Sequence, residues 1–437
     1  MTLLLLFVVL FTLLLLGYPV AFTLAGVSIV FGYFVFGLEF FNLLPLRIYG
    51  TMNNFVLIAV PLFVYMGVML EKSGIAERLL NTMAILFGRL RGGLAIAVIV
   101  VGALLAASTG IVGATVVTMG LLSLPTMLKR KYKAELATGT IASAGTLGQI
   151  IPPSVVLVLL GSVMNISVGD LFIGAVVPGL LLVIAYIGFV LVVAMLKPEY
   201  APPVPEEEIR EFKQGNFLPT LIKTFVLPML LVLAVLGSIF AGIASPTEAA
   251  GVGAFMATIL TLTEGKLTIT VLKEVMKETT FLTCMVFIIL VGATAFGLVF
   301  RGVEGDRILV DFIESAALSP YAFLALVMIG IFIAGFFIDF IEIIFIFMPV
   351  VTPIFAVYEM NLLWVAILVS LNLQTSFLTP PFGFSLFYLK GVAPPEVKTK
   401  HLYRGIIPFI LIQLIMIGLL VLFPELVTWL PSLGKGS

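Results

Sequence analysis

Two short stretches of this chain gather oxygen-bearing side chains inside otherwise apolar sequence, and their chemistry suits ligation rather than catalysis. The first, ASTGIVGAT, holds Ser108, Thr109, Gly110, Gly113 and Thr115. The second, LQTSFLTPPFGF, follows Asn372 and supplies Gln374, Thr375, Ser376 and Thr379. Hydroxyl and amide oxygens, joined by backbone carbonyls freed at a helix break, are hard ligands for a bare monovalent cation such as Na⁺. Half-helix N-termini at such breaks turn partial positive charge toward an anion. No Arg or Lys lies mid-span to grip a carboxylate, so an anionic substrate would be held by helix dipoles, hydroxyls and bound Na⁺.

The breaks are written in proline. Around Gly145 and Thr146 an apolar helix is interrupted by GTLGQIIPPSV, and 228 residues after Pro152-Pro153 comes Pro380-Pro381. Each pair removes backbone donors and leaves carbonyls without helical partners. Hydrocarbon cannot satisfy those groups, so such a break survives only beside protein or a polar cavity. Broken apolar segments at corresponding positions of two halves mark the binding region of a secondary transporter.

Acidic residues divide into two kinds. Asp339 and Glu342, in GFFIDFIEIIF, lie deep in apolar sequence and share a helical face at i, i+3. Buried acids are costly, which points to function, although a cap on a hairpin helix would also explain them. Glu248, in ASPTEAAG, fits N3 of a helix with Ser245 as N-cap and Pro246 at N1, a structural role sufficient by itself.

Composition narrows the class. At 437 residues, 61% hydrophobic and 11% charged, this is a polytopic helical membrane protein whose partner is the lipid bilayer. Lys+Arg and Asp+Glu balance at 23 each, which gives no basic surface for nucleic acid. Single residues Cys284 and His401 exclude an internal disulfide, a CxxC pair and a multi-histidine metal site. No acid–base constellation for an intramembrane enzyme is visible, and no cofactor beyond Na⁺ as coupling ion is expected. MTLLLLFVVLFTLLLL lacks a positive n-region and reads as a retained first span.

The halves repeat. Pro19 and Gly26 match Pro246 and Gly253; Gly67 and Arg78 match Gly297 and Arg307; Pro125 matches Pro353; Gly174 and Pro178 fall near Gly405 and Pro408. The spacing stays between 227 and 231. The expected organisation is a first repeat over 1–196, a polar cytoplasmic linker over 197–216 and a second repeat over 217–437. Each repeat carries a re-entrant hairpin (94–128 and 320–358) and a broken helix (134–166 and 361–389). With the N-terminus outside, all but four of the 23 Lys/Arg, namely Arg47, Arg301, Arg307 and Lys435, fall on the cytoplasmic side. Five full crossings per half then make the repeats inverted. Ser73–Arg91 and Leu267–Glu278 are expected as interfacial helices or cytoplasmic loops.

The runs GATVVTMGLLSLPTMLKRKYKAELATGTIASAGTLGQIIPPS, ASPTEAAGVGA and NLQTSFLTPPFGFSLFYLKGVAP closely resemble the large membrane subunit, the DctM-type permease, of tripartite ATP-independent periplasmic (TRAP) transporters. The resemblance covers essentially the whole chain. It implies an inner-membrane importer of organic acids driven by Na⁺. It also implies a small four-helix membrane subunit, an extracytoplasmic substrate-binding protein and an elevator-type mechanism. By position it puts ion and substrate sites at Ser108, Thr109, Gly110, Gly145, Thr146, Asp339, Asn372 and Thr379, with Ser108, Gly145, Asp339 and Asn372 as Na⁺ candidates. Two departures stand out: Ile111 and Val112 interrupt a first tip that many members keep serine-rich, and Gln374-Thr375-Ser376-Phe377 replaces an Ala-Ile-Gly-like stretch. The second variant resembles the subgroup labelled mannitol/chloroaromatic, some of whose binding proteins take 2-oxo or 2-hydroxy acids. The alternative is a self-sufficient ion-coupled carboxylate carrier of the wider ion-transporter superfamily.

Overall fold

A computed structural model describes residues 2–109, 112–214 and 222–434, and it is all-helical over them. The first half contains α1 (Thr2–Leu15), α2 (Val20–Phe36), α3 (Phe40–Met52), α4 (Ala59–Lys72) and α5 (Ile75–Leu86). Then come the hairpin arms α6 (Gly93–Thr109) and α7 (Val112–Lys129), the broken pair α8 (Ala134–Thr146) and α9 (Val155–Met164), and the long α10 (Val168–Leu196). After α11 (Glu206–Gln214), the second half runs through α12 (Leu227–Phe240), α13 (Pro246–Thr263), α14 (Ile269–Gly302) and α15 (Gly305–Ser315). It continues with arms α16 (Pro320–Ala334) and α17 (Phe340–Val357), the broken pair α18 (Leu362–Leu378) and α19 (Phe384–Val392), then α20 (Thr399–Leu422) and α21 (Glu425–Gly434).

Seven helical stretches among the described residues are long and apolar enough to cross a membrane. α10 shows how lipid and core divide one helix. Leu180, Ile184, Val192 and Met195 form an exposed apolar stripe, while Leu171, Ala175, Leu182, Tyr186 and Val190 are buried on the opposite face. In water such a stripe would be a liability, whereas hydrocarbon is its natural solvent.

Packing repeats with the sequence. α6 lies on α8 as α16 lies on α18, and α7 contacts α19 as α17 contacts α9. Each hairpin therefore bridges its own broken helix and the outer half of the other one. Two buried hydrogen bonds join residues separated by the repeat spacing itself: Gln374 Nε2 donates to Thr146 Oγ1 at 3.4 Å, and Gln413 Nε2 donates to the Tyr186 hydroxyl at 2.7 Å. Equivalent positions of two related halves can touch only near the axis relating them. These four side chains mark that axis.

Glycine sets the closest crossings. A Cβ on Gly139 would strike the Gly405 carbonyl, and one on Gly405 would strike the Glu135 carbonyl, so α8 and α20 meet backbone to backbone.

One feature differs from the expected layout, and two add to it. Residues 40–52, expected outside the membrane at Arg47, form a helix with Pro45 inside its first turns. Leu267–Glu278 is not a separate interfacial helix or a loop. Thr268 caps the start of α14, which then runs unbroken for 34 residues, about 51 Å at 1.5 Å per residue. No Gly or Pro interrupts Ile269–Val291, so the helix continues beyond the apolar window instead of ending at its edge. The described part of the linker is tied to the first half: Val204 donates its N–H to the Gly88 carbonyl, and Gly92 and Lys133 donate theirs to the Ala201 and Tyr200 carbonyls. Arg130 pairs with Glu208 at 2.8 Å. Beside this seam Tyr132 accepts the Leu94 N–H at 3.3 Å, and burial pushes its phenol up to about 12. Ser73–Arg91 does contain the short amphipathic helix α5, with Leu79, Leu80 and Met83 buried and Glu77 exposed.

Candidate functional site

The two breaks meet. α8 ends at Thr146, a single 3-10 turn covers Leu147–Gln149, and α9 restarts at Val155. α18 ends at Leu378 and α19 restarts at Phe384 after Gly383, whose φ of 46° is left-handed backbone that glycine adopts without strain. Both proline pairs, Pro152-Pro153 and Pro380-Pro381, carry a cis peptide bond. Ser370 of α18 reaches the first break and donates to the Gln149 carbonyl at 2.7 Å, which also accepts from Ser154 at 3.0 Å. Ser385 of α19 donates to the Ala142 carbonyl at 3.0 Å. A carbonyl freed by a break is thus satisfied by hydroxyls of both halves, as burial requires.

Gly145 and Thr146 lie at the end of α8, fully buried. A Cβ on Gly145 would collide with Val116 of α7, so this glycine brings the hairpin arm onto the break. Thr146 donates to the Ser143 carbonyl at 2.9 Å and accepts from Gln374. Ser108 and Thr109 close α6, but their side chains, like Gly110 entirely, lie outside the described residues. Asn372 sits inside α18 rather than in the unwound segment. Its Nδ2 donates to the Met328 carbonyl of α16 at 2.7 Å, tying hairpin arm to broken helix, and its Oδ1 accepts nothing from a described residue. Thr379 ends α18 and donates to the Thr375 carbonyl at 2.7 Å.

Asp339 is the N-cap of α17. Its Oδ1 accepts the Phe340 N–H at 2.8 Å, while Glu342 accepts the Asp339 N–H at 3.1 Å, a capping box. Ser245 and Glu248 form the other expected box at the start of α13. The two differ in setting. The Asp339 turn is wrapped by Phe340, Phe377 and Phe384, with ring centroids 6.0 and 5.1 Å apart, and Phe337 meets Phe382 at 5.5 Å. Tyr388 of α19 lies within electrostatic range of Asp339, and its ring is 3.2 Å from where a Cβ on Gly113 would stand. Both hairpins therefore converge on α19.

Three buried glutamines carry polarity into the centre: Gln149, Gln374 and Gln413 are all fully buried. The Oε1 of each glutamine and the Nε2 of Gln149, with the Ser143 and Thr140 hydroxyls, have no partner among the described residues. Gln149 and Gln413 were not singled out from sequence. The available signal was the spacing of 227 between Tyr186 and Gln413, which becomes readable only once a contact shows which equivalent positions lie on the axis.

Over residues 7–426 the sequence matches the family described as "Tripartite ATP-independent periplasmic transporter, DctM component". The chain belongs to that family. It is similar to the sialic acid TRAP transporter large permease protein SiaM of Vibrio cholerae, at 30% identity over 96% of each chain. It is also similar to the C4-dicarboxylate TRAP transporter large permease protein DctM of Pseudomonas aeruginosa, at 30% identity over 89% of each. In fold it is similar to the YdaH transporter of Alcanivorax borkumensis, with a TM-score of 0.65, 14% identity and 94% of this chain covered against 98% of that one. Like its relatives, this DctM-family protein is a multi-pass inner-membrane transporter subunit, a TRAP large permease. The polar centre just described lies between the two helix breaks of this TRAP large permease.

Proposed function

We propose that this TRAP large permease imports organic acid anions, coupled to Na⁺, with a small four-helix membrane subunit and an extracytoplasmic binding protein. The observation that supports the coupling is the meeting of two broken helices and two hairpins around buried side-chain and carbonyl oxygens, with no buried Lys or Arg among the described residues. Relatives named for sialic acid and for C4-dicarboxylates favour a carboxylate cargo, and the Gln374–Phe377 variant favours 2-oxo or 2-hydroxy acids. Hairpins and broken helices together form the moving body of an elevator, with α2, α4, α13 and α14, which pack on one another, as the static part. Reconstituted with both partners, the chain takes up organic acid under a Na⁺ gradient; with either partner left out, uptake falls to the Na⁺-free background. Robust uptake by the chain alone would favour the self-sufficient carrier instead.

The halves are inverted in the membrane, the N-terminus outside. Bonds between elements support this, because they join ends assigned to one side: Arg78 with Glu264 and Lys72 with Glu278 inside, the Thr247 hydroxyl with the Phe55 carbonyl and the Trp364 indole with the Leu420 carbonyl outside. With Cys284 replaced by serine, a cysteine at Lys131 is labelled only from the cytoplasm and one at Arg307 only from outside. Labelling of both from the same face would exclude inversion.

A further inference from the structure

Away from the breaks, a cavity of about 420 Å³ opens between α3 and α14 on one side and α9 and α17 on the other. That volume lies within the range of small-molecule sites, about 300–1,000 Å³. Its walls hold two cations, Arg47 and Arg301, and no acid. Neither arginine is ion-paired with a described residue. Arg301 Nε donates to the Gly297 carbonyl at 3.2 Å, which folds the side chain back along its own helix. Gly297 has no side chain to obstruct it, and Arg301 Nη2 lies 3.6 Å from where that Cβ would be. The guanidinium is thereby laid along the cavity wall with its terminal N–H groups uncommitted.

Between the arginines stand neutral polar groups that also join the walls. Thr51 and Thr294 hydroxyls are 3.2 Å apart across α3 and α14, and Asn54 Nδ2 donates to Ser162 of α9 at 3.0 Å. Two planar forks beside hydroxyls form a receptor for a carboxylate, which guanidinium binds through paired, charge-assisted hydrogen bonds. An unopposed double positive charge in a recess also concentrates anions there.

We infer that this recess is a carboxylate-binding vestibule, in which Arg47 and Arg301 hold the anion at the boundary between the static and moving helices before it reaches the breaks. The inference rests on the organic-anion reading above, yet its test needs no transport. Gly50 lines the cavity in α3, and a Cβ there meets nothing within 4 Å, so Gly50→Cys in a Cys284→Ser background is a tolerated reporter. In nanodiscs, where both faces are accessible, the anionic thiol reagent MTSES is expected to react about tenfold faster than cationic MTSET, each scaled to a free thiol. Lactate or succinate slows MTSES more than chloride does at equal ionic strength. In Arg47→Gln/Arg301→Gln both preferences vanish. In Arg47→Lys/Arg301→Lys, which keeps the charge, the reagent preference persists but the advantage of carboxylate over chloride is lost with the forks. Equal reagent rates in the reporter protein, or carboxylates no better than chloride, would overturn the vestibule and leave import untouched. Failure of Na⁺-driven uptake by the full assembly would overturn import and leave the labelling result standing.

Discussion

Asp339→Asn is expected to lower Na⁺-driven organic-acid uptake by about a hundredfold or more, with thermal stability of the purified protein nearly unchanged. Asparagine caps a helix as well as aspartate does, so the α17 cap survives the exchange. What disappears is a negative charge in an aromatic-lined turn beside Tyr388. If that charge faces a bound Na⁺ about 4 Å away at an effective dielectric near 20, its removal forfeits about 4 kcal/mol. Glu248→Gln is the matched control. Its capping box also tolerates the amide, and the Ser245 N–H and hydroxyl that reach Glu248, both at 2.8 Å, are exposed. Uptake by that variant is expected within about twofold of the parent. Equal uptake by the two variants would reduce Asp339 to a cap.

The contrast between these two boxes shows what sequence could and could not supply. Both were visible as a Ser/Asp followed three residues later by Glu, but burial separates them and burial is a property of the assembled helices. The broken helices were legible because proline forbids continuation at Pro152-Pro153 and Pro380-Pro381 whatever surrounds it. α3 was not, because Phe40–Met52 carries Asn42, Pro45 and Arg47 and reads like a connection; its helicity comes with packing against α14. The charged start of α14 differs from the expectation for another reason. Charges mark where hydrocarbon ends, which separates Leu267–Glu278 from the span by composition, but nothing after the Thr268 cap ends a helix.

The candidate site is readable in sequence as a set of residue types, less so as geometry. Asn372 and Thr379 appear together in sequence, yet the first ties α18 to the Met328 carbonyl and the second ends the helix. Ser370 and Ser385, which satisfy carbonyls of the other broken helix at Gln149 and Ala142, could be recognised only after the halves were brought together. The central polarity is shared between repeats, so neither half closes the site alone.

Asn372 bears on the proposed coupling ion from within the second half, where it joins α18 to α16. Its amide nitrogen is spent on the Met328 carbonyl, which orients the side chain and leaves Oδ1, an oxygen that cannot be protonated at neutral pH, for a cation. Carbonyl, amide and hydroxyl oxygens of this kind favour a bare monovalent ion over a proton, which needs a titrating base. Full assemblies are therefore expected to take up organic acid under an imposed Na⁺ gradient and to show background uptake under a proton gradient in Na⁺-free buffer. Asn372→Ala is expected to raise the Na⁺ concentration for half-maximal uptake about tenfold, the worth of about 1.4 kcal/mol. Ser108→Ala, at the end of α6, is expected to act in the same direction. Loss of the tie to α16 alone would instead lower the yield or thermal stability of Asn372→Ala at an unchanged Na⁺ requirement. A shift in the Na⁺ requirement at unchanged stability identifies a ligand. Uptake driven equally well by protons, or parental Na⁺ dependence in both variants, would move the coupling site away from the first tip and α18.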